Sequence, residues 1–295
     1  MIIRPVPVER LDLSSKKLAV IGGTNGLGRA IAQQALARGA EVTVVGRTFR
    51  DHPGRGLTFM RADLSSMREA VRVGLELPAE DFDVALFTTG IIAAPKREET
   101  SEHIERDLAI SYLSRLAILQ GLSPRLGSAR VDGAPRPRVF IMGSPGLGAL
   151  GDPGDLNSEK NYRAMVAHAQ TLAGNEMLVL GAEDRFPGPA FFGVGPGAIK
   201  TDIRSNYLGA GSVKHKLTEA TIGILGRTRV VPGVSTPRMF AKRIVPLLFA
   251  PELEGKSGIV FNSKAQPILP TRGLDRAYID RFLSASEVLL RRALS

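Results

Sequence analysis

The run Gly22-Gly23-Thr24-Asn25-Gly26-Leu27-Gly28 joins an apolar stretch, Leu18 to Ile21, to an alanine-rich one beginning at Arg29. In that order a strand turns through glycines into a helix, and each glycine has a reason. Gly22 allows the tight turn, Gly26 lets the backbone approach a diphosphate, and Gly28 permits close packing of helix on strand. The amides and positive dipole end of the helix then face an anion. A glycine triplet alone is a weak signal, but strand, turn and helix in sequence make a specific one. The next apolar stretch ends Val44-Val45-Gly46-Arg47. An acidic residue at position 46 would accept from a ribose 2′-hydroxyl, whereas Gly46 followed by Arg47 suits a 2′-phosphate, so NADP(H) is the expected dinucleotide. Arg29 either adds to that pocket or is a surface charge. The four histidines, His52, His103, His168 and His215, show no ligand spacing, and the absence of cysteine removes thiolate nucleophiles and cysteine-bound metals; no metal site is expected.

Those residues need a frame, and the apolar pattern supplies one. Short β-branched runs alternate with longer stretches of helical spacing, the signature of βα units around a parallel sheet. Seven strands are predicted: Lys17 to Gly22, Glu41 to Arg47, Leu57 to Ala62, Asp83 to Thr88, Arg138 to Gly143, Ala190 to Val194 and Gly258 to Asn262. Helices are predicted over Leu27 to Arg38, Ser66 to Leu77, Thr100 to Leu122, Lys160 to Glu183 and Thr236 to Leu248, with a terminal one over Leu274 to Leu294. The fold class is therefore α/β, a doubly wound Rossmann-like sheet of seven parallel strands with helices on both faces, in a single domain over 1–295. Ser123 to Pro137 reads as an exposed loop, and 204–234 as either a substrate lid or a surface insertion.

Composition excludes several alternatives. With 43% hydrophobic and 23% charged residues the chain is an ordinary globular one. The first 18 residues carry charges throughout, and no window of about 18 residues is free of charge, so neither a secretory signal nor a membrane span is expected and the reading is cytoplasmic. The net charge of +10 favours polyanions, yet the arginines are scattered and aromatics few, which is not a nucleic-acid footprint. A small-molecule substrate remains.

The spacing Gly22-x3-Gly26-x-Gly28 resembles the TGxxxGxG turn of the short-chain dehydrogenase/reductases, with Ile21 where that family commonly has threonine. The resemblance runs along nearly the whole chain. Asp63-Leu64 matches the pair that contacts adenine, Phe87-Thr88-Thr89-Gly90 stands at the family's NNAG with only the glycine kept, and Gly195-Pro196-Gly197-Ala198-Ile199-Lys200-Thr201 matches PGxxxT. By resemblance the cofactor-binding residues are Gly22, Thr24, Asn25, Gly26, Leu27, Gly28, Arg47, Asp63, Leu64, Thr89, Gly90, Pro196, Gly197, Ile199 and Thr201. The family also commonly assembles through its fourth and fifth helices, which implies a homodimer or homotetramer.

The catalytic residues depart from the family. Ser144 takes the place of the serine that binds the substrate oxygen. The helix that should carry Tyr-x-x-x-Lys has Tyr162 followed four residues later by Val166; counted back from Pro196, the dyad falls instead on Val166 and Gln170. The lysine is missing either way, and the helix-four asparagine falls near Ser111. A phenol with its ordinary pKa is about one part in a thousand ionised at pH 7, so alcohol oxidation suffers more than carbonyl or imine reduction, for which a neutral phenol can still donate. Tyr162 is either that donor or a core aromatic, and His168, six residues on, either a substitute acid or an ordinary helix histidine. Two functions follow: an NADP(H)-dependent oxidoreductase reducing a small carbonyl or imine through Ser144 and Tyr162, or a degenerate member that binds the dinucleotide without redox turnover.

Overall fold

The structure, a computed structural model, describes residues 3, 6–52, 54–197, 199 and 236–295. Its sheet has strands β1 (Lys17–Ile21), β2 (Glu41–Gly46), β3 (Leu57–Arg61), β4 (Val84–Phe87), β5 (Arg138–Met142), β6 (Ala190–Val194), β7 (Ile259–Phe261) and β8 (Pro267–Ile268). Their order is β3-β2-β1-β4-β5-β6-β7-β8. Strands through β7 are parallel; β8 runs antiparallel to β7. The seven expected strands are present, and β8 is the addition. A two-residue strand containing proline carries no period to read, and only its pairing with Val260 and Phe261 defines it. The segment 204–234 and Thr201 lie outside the described residues.

The central strands are buried on both faces, as parallel strands between helical layers must be. One layer holds α1 (Gly26–Leu36) and α7 (Pro237–Leu248), packed on Leu18, Val20, Phe140 and Phe192. The other holds α2 (Met67–Glu76), α4 (Ser114–Leu122), α5 (Ala164–Leu180) and α8 (Arg276–Leu294), packed on Ala19, Ile21, Phe87 and Phe191. Each such side chain taken from water contributes about 1.5–3 kcal/mol before conformational entropy is set against it.

Two predicted helices begin late. The Thr100–Leu122 stretch opens as a turn with His103 at φ +58°, and helix starts only at α3 (Arg106–Leu108), capped by the Glu105 carboxylate accepting from Leu108 N at 2.7 Å. A π-helical turn, Ala109–Leu113, then leads into α4. Likewise α5 starts at Ala164, because Asp155 draws in the amides of Glu159 and Lys160 and Ser158 takes φ +52°. Tyr162 therefore precedes the helix on which the sequence pattern put it. A short helix, α6 (Ala182–Arg185), follows α5.

The helix α8 lies against α5 and α2. Its Ser286 and Phe282 meet Tyr112, whose hydroxyl donates to Ser286 Oγ at 2.7 Å and whose ring stands edge-on to Phe282. Ile279 and Leu283 close over Gly181. Nearly all of α4, which packs against α2, and the C-terminal half of α5 are buried inside the chain. Among the described residues no helix is long and apolar enough to cross a membrane.

Candidate active site

At the carboxyl ends of β1, β2 and β4 lies a cleft of about 310 Å³, within the size range of small-molecule sites. Gly22, Thr24, Asn25, Gly26, Leu27, Gly28, Arg47, Asp63, Leu64, Thr89 and Gly90 all line it, joined by Gly46, Thr88, Ile91, Arg106 and Ile110. The turn that opens it requires its glycines. Gly22 has φ +93°, and a Cβ there would meet Thr89 N at 2.7 Å; a Cβ on Gly28 would lie 2.4 Å from Gly22 O. The Thr88 hydroxyl donates to Ile21 O at 3.0 Å, tying the end of β4 to β1 where the family resemblance would put asparagines. Pro196 and Gly197 follow β6 and Ile199 is buried beyond them; none is among the cleft's lining residues.

Three features fit this cleft to a dinucleotide. The first-turn amides of α1 receive no side-chain cap from Asn25, which leaves them for an anion. The Thr89 hydroxyl is buried at the wall with no hydrogen-bond partner among the described residues, a state that a bound polar group relieves. A side chain at Gly46 would lie 2.5 Å from Thr24 Oγ1, so an acidic group has no room where a 2′-hydroxyl would need it. Arg47 is exposed at the rim, and no carboxylate pairs with it among the described residues. Arg29 differs: its guanidinium grips Asp51 at 2.8–3.1 Å, which raises the arginine's pKa and lowers that of the carboxyl. The arginine that seemed able to join Arg47 is thus already engaged.

The hydroxyls expected to do chemistry are set apart. Ser144, two residues past β5, is half-buried beside Asn175 and Glu176 of α5. Glu176 holds the neighbouring loop by accepting from Gly146 N and from Thr271 N and Oγ1. Tyr162 instead donates its phenol proton to Ala94 O at 2.6 Å, so it is not bonded to Ser144. Burial, and then the negative charges of Glu105, Asp107 and Glu98, push its pKa up to about 12, removing it further from use as a base near neutral pH. Val166 is half exposed, and the buried Gln170 is occupied by Asp152 N at 2.7 Å and Asp155 O at 3.1 Å. Neither residue can act as an acid or base.

Behind the cleft wall stands a polar cluster of which the motif reading named Ser111 and His168 but not Asp107 or Arg115. Asp107, wholly buried, accepts from Ala93 N at 3.1 Å, from the Ser111 hydroxyl, and pairs with His168 Nδ1 at 2.6 Å. Ser111 also accepts from Ile91 N at 3.0 Å. Arg115, four residues further, is fully buried and donates to Met142 O, Asn175 Oδ1 and Thr89 O, joining the ends of β4 and β5 to α5. Burial lowers its pKa to about 9, so it is still a cation at neutral pH. Glu105 is also buried, and desolvation raises its carboxyl to about 7. The spacing 107, 111, 115 puts three polar residues four apart along the helical run from α3 into α4; that spacing was the available signal.

No family model matches the chain. An uncharacterized oxidoreductase of Saccharomyces cerevisiae, YKL107W, is 42% identical over 291 residues, spanning 97% of this chain and 92% of the yeast protein. Among solved structures, a short-chain dehydrogenase/reductase described as glucose/ribitol dehydrogenase, from Brucella melitensis, superposes with a TM-score of 0.61 at 17% identity, covering 87% of this chain and 98% of that one. A short chain dehydrogenase from Shigella flexneri complexed with NADP gives 0.59 at 16% identity, covering 85% and 98%.

Proposed function

The chain belongs to the short-chain dehydrogenase/reductase family, and from that premise we propose that it is an NADP(H)-dependent oxidoreductase reducing a carbonyl or imine of a small molecule. The observation that carries the choice of dinucleotide is the pairing of Gly46, where no acid fits, with Arg47 at the cleft rim. The amides at the start of α1 hold the diphosphate, Asp63 and Leu64 flank the adenine, and Thr89 and Gly90 line the path toward the reacting end. When bound, NADPH supplies hydride. Ser144 polarises the substrate oxygen from the end of β5. Tyr162, with its proton on Ala94 O, positions the segment after Gly90. Reduction is the favoured direction because neither Tyr162, Val166 nor Gln170 can serve as the base that alcohol oxidation requires.

Calorimetry with NADPH and NADH, followed by loss of NADPH absorbance against a panel of aldehydes, ketones, quinones and imines, tests this reading. Tighter binding of NADPH with turnover of one class is the expected result; equal affinity for both nucleotides overturns the cofactor assignment. A second reading, a dinucleotide-binding protein without redox turnover, is favoured by the fully occupied Gln170 carboxamide. Binding of NADPH with no turnover across the panel would establish it.

A further inference from the structure

Resting on the oxidoreductase reading, we propose that His168, held by Asp107, gives the substrate oxygen its proton. Among the described residues, the positions the family count points to do not fill the role. Val166, where the family count puts tyrosine, is a hydrocarbon, and the phenol of Tyr162 is bound to Ala94 O. His168 is two residues past Val166, in the first turns of α5.

The location follows from the sheet. Strand order puts β4 and β5 on the far side of β1 from β2, so Arg47 and the segment after Gly90 mark opposite ends of the cleft. Asp107 stands between Arg106 and Ile110, which line that cleft, and Ser111 Oγ binds both Asp107 and Ile91 N, with Ile91 also in the wall. The Asp107–His168 pair therefore backs the end where the nicotinamide would lie, next to the β5 end that carries Ser144.

The geometry also sets the histidine's working nitrogen. An ionised carboxylate only accepts, so Nδ1 carries its proton toward Asp107 and Nε2 is left for other partners. Asp107 is wholly buried, whereas the His168 side chain is 14% exposed, enough to reach solvent while its orienting partner stays dry. The other titratable groups that act on Asp107 are Glu105 before α3, Arg115 from α4 and the Tyr162 phenol, with Glu98 and Arg97 acting in turn on Tyr162. In the step, hydride from bound NADPH forms a C–H bond at the carbonyl carbon. The C=O π pair moves to oxygen, which takes the Nε2 proton; the imidazole left neutral is reprotonated from water.

Two measurements test the proposal. His168→Asn keeps an N–H toward Asp107 but has no proton to give. Its kcat should fall about 10²- to 10⁴-fold with NADPH affinity within about twofold, whereas Tyr162→Phe should cost less than about tenfold. A merely structural histidine predicts that asparagine rescues, so H168N activity above about a tenth of wild type overturns the proposal. The second readout needs no substrate. The nicotinamide of NADP+ is cationic and that of NADPH is not, so only the oxidised form repels a proton held close to it. Calorimetry in two buffers of unlike ionisation heat should show proton release by the unaltered protein with NADP+ beyond that with NADPH, and H168N should lose the difference. An equal release with both nucleotides, or one that survives in H168N, overturns the assignment to His168 alone. No heat with either nucleotide overturns the oxidoreductase reading beneath it.

Discussion

The two halves of the site are built from different materials. Around Gly22 to Gly28 the cleft is backbone, shaped by what has been left off each residue, and its polar groups face outward toward a ligand. Behind Ile91 the Asp107, Ser111, Arg115 and His168 cluster is all side chain and bonded largely to its own members and to nearby carbonyls, with Arg115 Nε without a partner among the described residues and His168 held through Nδ1 alone. A backbone cradle accepts many residues around it but hardly any at its glycines. A buried charge network accepts replacements only in sets, because removing one member strands the others. That difference is consistent with a chain whose Gly22 to Gly28 turn matches the family's while valine, Val166, stands four residues after Tyr162.

Breaking the cradle should give the largest effect. Gly28→Val drives a branched Cβ into Gly22 O and Thr88 Oγ1, each 2.4 Å from even the first carbon, and NADPH affinity should drop at least about 100-fold by calorimetry. Near-native binding would mean that the turn is not the diphosphate site. Next comes the cluster. Arg115→Met leaves Met142 O, Thr89 O and Asn175 Oδ1 without their donor, and urea unfolding should report a loss of about 3 kcal/mol. A loss under about 0.5 kcal/mol, the range of an ordinary surface change, would remove the contrast drawn here.

A smaller change separates the two arginines near the cofactor. Arg47→Ala should weaken NADPH by about 10- to 100-fold and leave NADH unaltered, the worth of a charge-assisted pair. Arg29→Ala should alter the NADPH-to-NADH ratio by less than about threefold, because Asp51 already holds that guanidinium. The smallest effect is on stability with pH. Glu105 has its carboxyl raised to about 7 in the folded chain, above the ordinary 4.5. Between those values the folded state binds the extra proton, so stability falls as pH rises through the window and the penalty is complete above pH 7. Glu105→Gln keeps an acceptor for Leu108 N without the charge. It should raise Tm by roughly 2–5 °C at pH 8 and change it little at pH 5, seen by differential scanning calorimetry at both.

How much of this could be read beforehand follows the same division. Strands β1 to β7 fell within a residue or two of their predicted bounds because their short apolar runs are bounded by turn residues and the central ones are buried on both faces, and the cleft residues from Gly22 to Gly90 are brought together as their motifs imply. The late start of α5 was not legible, since it depends on Asp155 capturing two amides in a turn with helical composition. The Asp107–His168 contact spans 61 positions, and no periodicity joins residues from two helices. For Arg115, nothing in an arginine among leucines says that three acceptors await it. Side-chain networks are tertiary facts, whereas a glycine with one tolerable geometry declares itself locally.

By laying Phe282, Leu283 and Ser286 over Tyr112 and the end of α5, the chain provides from within the apolar company that a second copy would otherwise bring to those helices. Sedimentation of the whole chain decides between a single copy, for which this cover suffices, and the homodimer or homotetramer that the family resemblance implies.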